Sequence, residues 1–272
     1  MRLKYLGTAA AEGIPALFCD CPICRNALAV RGREVKTRSQ TIVDDRILID
    51  LPADTYLHVL HGGLDLREVH TLIVTHAHSD HFYERDLWCR FRSIAYGDGM
   101  NEPLRVYATA GCLQKAAGWT QEGRVQLHEI RPFEAFEADG YRFVPLRANH
   151  DAGADPVIYI IEQDGRRLLY ANDTGIFPEE TWAYLATYGH RFDMVSIDCT
   201  GMLKHGWRDG HLCLETCAEV RDRLADMGLC DGNTVLYVNH FSHNGGATHE
   251  ELVKAADAAG FGVSYDGCEV EF

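Results

Sequence analysis

The chain alternates short apolar runs with amphipathic stretches, and turns rich in glycine and proline separate them. Apolar runs of roughly four to eight residues are typical of strands, whereas apolar residues that recur every three or four positions indicate helices. We therefore predict strands over residues 3–6, 40–43, 46–49, 71–75, 105–108, 141–148, 157–162, 167–171, 194–198 and 235–239. Helices are predicted over residues 52–61, 84–95, 178–188, 212–227 and 249–259.

The order of these elements predicts an α/β protein. Some strands follow one another directly, as where Asp164 and Gly165 form the centre of a hairpin turn, and others alternate with helices. Two mixed β-sheets packed face to face, with helices outside, satisfy both patterns. Because no repeat, low-complexity tract or linker is visible, we expect residues 1–272 to form a single domain.

Charge and hydropathy restrict the partners. The formal net charge is -14 at pH 7, and such a surface repels nucleic acid, whose binding normally starts from a basic patch. A long RNA or DNA substrate is therefore not expected. The N-terminus lacks a long apolar run before a cleavage site, and no stretch of about 18 apolar residues occurs. We expect a cytoplasmic protein without membrane contacts.

The strongest chemical signal follows the apolar run at residues 71–75. Within seven positions the chain carries potential metal ligands, namely His76, His78, Asp80 and His81. Loops at strand ends are where α/β folds expose ligands, and four such groups can divide between two cations. Imidazole and carboxylate groups suit Zn, Mn, Fe or Ni. The motif predicts a two-metal site in which Asp80 is both a ligand and a catalytic residue.

This H-x-H-x-D-H spacing resembles the signature of the metallo-β-lactamase superfamily, whose fold is an αββα sandwich with metals at the edge between its sheets. The resemblance implies further ligands at the ends of later strands, namely His150, Asp173 and His240. It implies that one ion is held by His76, His78 and His150, and the other by Asp80, His81 and His240, with Asp173 bridging both. Such a pair of ions, about 3.5–4 Å apart, can share a hydroxide and neutralise an in-line phosphoryl transition state.

Each later ligand also has a structural interpretation. Taken alone, His150 or His240 is more often a hydrogen-bonded interior histidine, and Asp173 could equally stabilise the turn at Gly175. Their order and context favour the metal. The β-lactamase members carry cysteine where this chain has Asp173, so antibiotic hydrolysis is not expected.

A second candidate metal site lies near the N-terminus. Of ten cysteines, three fall within six positions, at Cys19, Cys21 and Cys24, close enough for one tetrahedral ion that lacks a fourth ligand. Three buried or redox-active thiols are the alternative. This cluster, the opening glycine-rich turn and the H-x-S-H segment resemble the PhnP-like phosphodiesterases. That resemblance implies that His243 completes a structural zinc site.

The same family resemblance implies a general acid. His211, in the segment Asp209-Gly-His-Leu-Cys-Leu-Glu-Thr216, matches the position of a histidine that protonates the leaving alkoxide. An exposed residue at the start of a helix is the alternative, and His205 is the nearest competitor for the role. Asp50 matches a superfamily position whose carboxylate orients a ligand by hydrogen bonding. Asp198 is expected either to act similarly or to form an ordinary turn. Cations near these segments that could meet a substrate phosphate are Arg90, Arg92, Lys204 and Arg208, although solvated surface charge is the usual role of such residues.

These observations and resemblances predict a metal-dependent phosphodiesterase that hydrolyses a small cyclic phosphodiester, such as phosphoribosyl 1,2-cyclic phosphate. It would use two catalytic divalent ions, Mn or Zn, and one structural Zn, and a homodimer is compatible with this function. One alternative is a tRNA 3′-processing endonuclease of the ribonuclease Z type, whose RNA-gripping arm has no obvious counterpart in the sequence. The other is a non-catalytic cofactor-assembly protein resembling PqqB, against which the full ligand set argues.

Overall fold

The computed structural model describes residues 1–97 and 100–272. Within these residues the strands form two seven-stranded sheets. The first sheet has the order β14-β1-β2-β3-β4-β5-β6, with β1 (Arg2–Gly7), β2 (Gln40–Val43), β3 (Ile47–Ile49), β4 (Thr71–Ile73), β5 (Leu104–Ala108), β6 (Val125–Glu129) and β14 (Glu269–Glu271). The second has the order β13-β12-β11-β10-β9-β8-β7, with β7 (Phe136–Ala138), β8 (Tyr141–Arg147), β9 (Val157–Gln163), β10 (Arg166–Ala171), β11 (Met194–Asp198), β12 (Val235–Asn239) and β13 (Gly262–Val263).

Helices cover the outer faces of both sheets. They are α1 (Pro22–Val30), α2 (Thr55–His61), α3 (Ala110–Ala116), α4 (Glu179–Tyr188), α5 (Leu214–Asp226) and α6 (His249–Ala258). Apolar residues of α3, such as Cys112, pack with the first sheet, whereas residues of α4, α5 and α6, such as Trp182, Val220 and Leu252, pack with the second. The architecture is helices, sheet, sheet, helices, which confirms the predicted αββα sandwich of two mixed sheets.

Strand β9 shows how the sequence specifies these layers. Its side chains alternate between faces, as they must in a strand. Tyr159 and Ile161 pack between the sheets against residues such as Tyr5, while Ile158 and Ile160 pack toward the helices. Because both faces are buried, the strand reads as a continuous apolar run rather than an alternating one.

The predicted strands all occur, with ends that differ by a few residues, and the Asp164-Gly165 turn does join β9 to β10. The α-helix predicted over residues 84–95 is wrong. Glu84–Arg90 forms a 3-10 helix instead, and Phe91 has an extended backbone conformation that ends it. Two helices, α1 and α3, were not predicted, nor were four strands, β6, β7, β13 and β14. Over the described ranges, no helix is long and apolar enough to cross a membrane.

Candidate metal centre

The H-x-H-x-D-H segment follows β4 as a tight loop. The Phe82 amide donates to the His78 carbonyl at 2.7 Å, and the Leu51 amide donates to the His81 carbonyl at 2.7 Å. These bonds pair backbone groups of the loop within the protein, so the loop can lie in the interior with its side chains. His76 and His81 are fully buried, while His78 keeps 36% of its side chain exposed.

The later candidate ligands reach the same place from the second sheet. Strands β8 and β9 are antiparallel, as are β9 and β10, whereas β10, β11 and β12 are parallel. The carboxyl ends of β8, β10, β11 and β12 therefore share one edge of the sheet. His150, Asp173 and His240 follow β8, β10 and β12, and Asp198 ends β11.

Two groups of potential ligands result, and each holds its donor atoms within 4.8 Å of one another. One group is His76, His78 and His150, and the other is Asp80, His81, Asp173 and His240. Within the first, His76 Nε2 lies 3.1 Å from His78 Nδ1, which lies 3.2 Å from His150 Nε2. Asp173 spans both groups: its Oδ2 lies 3.2 Å from His81 Nε2 and 4.0 Å from His76 Nε2, and its Oδ1 lies 3.1 Å from His240 Nε2. The structure thus brings together every side chain predicted to bind the catalytic ions.

Two threonine–aspartate pairs orient four of these imidazoles. Asp50 accepts hydrogen bonds from His81 Nδ1 at 2.7 Å and from the Thr75 hydroxyl at 2.9 Å, and that hydroxyl accepts from His76 Nδ1 at 3.0 Å. In the second pair, Asp198 accepts from His211 Nδ1 at 2.8 Å and from the Thr200 hydroxyl at 2.9 Å. The Thr200 hydroxyl in turn accepts from His240 Nδ1 at 2.8 Å.

These contacts fix the tautomers and thereby test whether the cluster suits a cation. An imidazole that donates through one nitrogen presents a lone pair at the other, so His76, His81 and His240 face the cluster with unprotonated Nε2 atoms. His150 does the same, since its Nδ1 donates to the Gly210 carbonyl at 3.0 Å. The facing lone pairs of His81 and His240, whose Nε2 atoms lie 3.3 Å apart, repel one another unless positive charge lies between them.

Asp173 supports the same conclusion. Its buried Oδ1 accepts no hydrogen bond, although an unpaired buried carboxylate oxygen is costly. The donor set therefore attracts positive charge and fits divalent cations that accept nitrogen and oxygen ligands.

His211 lies beside the cluster. A ring nitrogen of His211 lies within 4.8 Å of donor atoms of His150 and Asp173, and its ring stacks on His240 with centroids 5.5 Å apart. Burial opposes its protonation, but the adjacent Asp198 carboxylate outweighs burial and raises the pKa of His211 to about 9. The Asp198 carboxylate therefore favours the protonated form of the ring and holds its Nδ1. By contrast, His205 is exposed, pairs with Glu215 at 2.9 Å, and takes no part in the cluster.

The cysteine cluster also gains the fourth ligand that the family resemblance implied. The donor atoms of Cys19, Cys21, Cys24 and His243 all lie within 4.8 Å of one another, and His243 Nδ1 is 3.5 Å from Cys19 Sγ and 3.4 Å from Cys21 Sγ. Burial opposes ionisation of Cys21, but the Cys24 amide and His243 lower its pKa to about 6. Three sulfurs and one imidazole suit tetrahedral zinc.

Replacing Cys21 by serine should therefore release zinc and destabilise the fold by about 4 kcal/mol or more, as expected when a structural metal is lost. Metal analysis and thermal unfolding of Cys21→Ser would check this, with Cys230→Ser as the control. Cys230 is buried and lies outside the cluster, so its variant should keep all its zinc. Unchanged zinc content in Cys21→Ser would exclude a zinc site here.

Some expectations about surrounding residues need correction. Arg90 is not placed to meet substrate, because it is buried and donates to the carbonyls of Glu102 and Arg124. Arg92 lies in the same segment, where its amide donates to Glu122. Arg208 remains near the site but pairs with Glu219 at 3.0 Å. Asp151 contacts His78 and was missed, because an aspartate next to a ligand carries no distinctive pattern.

Comparison with known proteins defines the class. Residues 45–241 match the family model described as beta-lactamase superfamily domain, and the chain belongs to this family, the metallo-β-lactamase superfamily. Over its whole length it is 25% identical to coenzyme PQQ synthesis protein B of Methylorubrum populi, with all of that protein covered.

Two other curated relatives match in part. A ribonuclease Z of Methanothermobacter thermautotrophicus is 27% identical over 55% of this chain and 45% of that protein. An octanoyltransferase of Porphyromonas gingivalis is 26% identical over 55% of this chain, yet the match spans only 31% of the octanoyltransferase. The chain thus spans less than half the length of both proteins.

Solved structures agree on the fold. The Zn2+-bound PqqB of Methylobacterium extorquens superposes with a TM-score of 0.77 at 22% identity, covering 100% of both chains. A diphosphatase from the PhnP family superposes with a TM-score of 0.72 at 22% identity, covering 100% of this chain and 98% of that one. At these identities the likeness supports the fold alone.

Proposed function

We propose that this protein is a metal-dependent phosphoric diester hydrolase that opens a small cyclic phosphodiester, such as phosphoribosyl 1,2-cyclic phosphate, to a phosphomonoester. His76, His78 and His150 would hold one divalent ion, Mn or Zn, and Asp80, His81 and His240 the other, with Asp173 shared. When bound, such a pair of ions supplies Lewis acidity toward phosphoryl oxygens and an activated water nucleophile.

The observation that carries this proposal is the position of His211. It combines a ring nitrogen within 4.8 Å of donor atoms of His150 and Asp173 with a carboxylate, Asp198, at 2.8 Å from its Nδ1. A site that only stores or carries a metal has no need of a protonated imidazole held in this way. A hydrolase that expels an alkoxide does need one, because the leaving oxygen must gain a proton at neutral pH.

In this proposal, two threonine–aspartate pairs orient the imidazoles and His211 is the general acid. The pair Thr75 and Asp50 holds the ligand rings of the first sheet, and the pair Thr200 and Asp198 holds His240 and His211. His211 would give a proton to the leaving oxygen, and Asp198 stabilises the imidazolium beforehand by accepting a hydrogen bond from Nδ1. Since Asp198 is fully buried, this contact is not weakened by competing water.

Exposure suggests how substrate approaches. His76, His81 and His240 are at most 1% exposed, whereas His78 and His211 keep 36% and 24% of their side chains in contact with solvent. A phosphodiester would therefore enter between His78 and His211, which places its leaving oxygen on the side of the acid. The net charge of -14 favours a small substrate over a long nucleic acid.

A second candidate function is a role like that of coenzyme PQQ synthesis protein B. It is favoured by the full-length similarity, since the chain aligns with all of that relative, whereas the ribonuclease Z match covers about half of each protein. The ligand cluster is compatible with either function. The acid at His211 is the feature that favours hydrolysis.

Hydrolysis of bis(p-nitrophenyl) phosphate by protein loaded with Mn or Zn would separate these functions. We expect turnover that a chelator removes and metal restores, followed by hydrolysis of ribose cyclic phosphates in a substrate panel. Faster cleavage of a precursor tRNA than of any cyclic phosphate would favour the ribonuclease Z type of activity. If the metal-loaded protein cleaves no diester at all, the proposal fails and the non-catalytic role gains support.

A further inference from the structure

His78 faces the candidate metal centre differently from its neighbours. Its Nδ1, rather than its Nε2, is the nitrogen that lies 3.1 Å from His76 Nε2 and 3.2 Å from His150 Nε2. Because Nδ1 is the ring nitrogen nearer the backbone, this orientation turns Nε2 away from the cluster and toward solvent. The buried threonine–aspartate pairs that fix the other rings do not reach this outer nitrogen.

Asp151 does reach it. Its Oδ2 lies 3.1 Å from His78 Nε2, while its Oδ1 accepts the Gly153 amide at 2.9 Å. The Gly153 contact caps a short 3-10 turn, Ala152–Ala154, and the Ala154 carbonyl accepts the Ala77 amide at 3.2 Å. The Asp151 carboxylate is thus positioned by a hydrogen bond within its own turn, and a second hydrogen bond joins that turn to the loop that carries His78.

We infer that Asp151 is a positioning residue for the metal centre. It accepts a hydrogen bond from His78 Nε2 and so presents the lone pair of His78 Nδ1 to the ion shared with His76 and His150. This inference rests on the metal centre of the proposed function and deepens it. A carboxylate behind a ligating histidine fixes the tautomer and raises the basicity of the ligand nitrogen.

The contact has two further consequences. Without a partner at Nε2, the His78 ring can rotate about its Cβ–Cγ bond and turn a carbon toward the cluster. The segment 149–151 also supplies both a ligand, His150, and the residue that orients another ligand, so the two adjust together. Because the Asp151 side chain is 60% exposed, water can replace it in part. We therefore expect that removing the Asp151 carboxylate weakens metal affinity about tenfold, the lower end of the 10–100-fold range typical of residues that orient a ligand.

The test measures metal affinity rather than activity. Protein stripped of its exchangeable ions would be titrated with Zn2+ against a chromophoric chelator, and with Co2+ to follow the visible absorption of the bound ion. Asp151→Asn should weaken the ion at His76, His78 and His150 about tenfold and alter its Co2+ spectrum. Asp155→Asn, the same change in charge on the same turn, should bind like the wild type, because Asp155 pairs with Arg147 instead.

A second variant removes an ambiguity. The amide oxygen introduced by Asp151→Asn could still turn toward His78, whereas the serine of Asp151→Ser can cap Gly153 but is too short to reach the ring. Asp151→Ser should therefore lose at least as much affinity, with unchanged thermal unfolding in the ion-free state. If both variants bind Zn2+ as tightly as the wild type, the role of Asp151 is wrong while the metal centre stands. If the wild type itself binds no exchangeable ion, the metal centre and this inference both fail.

Discussion

Asp173→Ala should empty at least one of the two candidate ion sites and reduce diester hydrolysis to the detection limit. Its two carboxylate oxygens lie toward different ligand groups, Oδ1 beside His240 and Oδ2 beside His81. Removing them takes a negative charge from between imidazoles that otherwise present only neutral lone pairs. The expected result is loss of at least one ion per chain by metal analysis, with no measurable turnover even at high metal concentration.

A structural role would give a different result. If Asp173 only stabilised its turn, the variant would lose stability but keep its ions, and its rate at full occupancy would be near normal. The contacts argue against this, because the Thr174 amide donates to Asp198 rather than to Asp173. Asp193→Ala is a suitable control, since Asp193 accepts the Arg167 amide at 2.9 Å far from any ligand. That variant should lose about 1 kcal/mol of stability and keep its activity.

The candidate metal ligands could be predicted best where histidine and aspartate residues directly follow a predicted strand. The loop after β4 could be predicted because histidine and aspartate at that spacing rarely serve packing alone. The ligands His150, Asp173 and His240 each follow an apolar strand, but only the family resemblance implied that they bind metal. Parallel strands bring their carboxyl ends to one edge, so order along the chain translates into proximity. The grouping of the ligands needed the family resemblance as well, since spacing alone leaves open which histidine joins which ion.

Other features depend on tertiary context that local pattern does not carry. Strands β13 and β14 are two and three residues long and are stabilised by pairing with β12 and β1 rather than by their own sequence. Arg90 looked like a surface cation, yet distant carbonyls satisfy its guanidinium in the interior. His249, at the start of α6, is buried, with its Nδ1 3.2 Å from Lys36 Nζ. In each case the partner lies far away in the chain, so only the folded structure reveals it.

His211→Ala should keep both ions bound but slow hydrolysis of poor leaving groups by roughly 10²–10⁴-fold, the usual contribution of a positioned acid. A sugar alkoxide needs the proton and should show the whole loss of rate, whereas p-nitrophenolate departs without full protonation and should show much less.

The pH dependence gives a second measurement. Since the pKa of His211 is raised to about 9, the wild-type rate with a poor leaving group should fall as pH rises through that value, and the rate of His211→Ala should not show this fall. His205→Ala, on the same segment but paired with Glu215 in solvent, should behave like the wild type. Loss of metal from His211→Ala, or equal slowing with both leaving groups, would instead make His211 a ligand or an orienting residue, and the proton would have to come from another group.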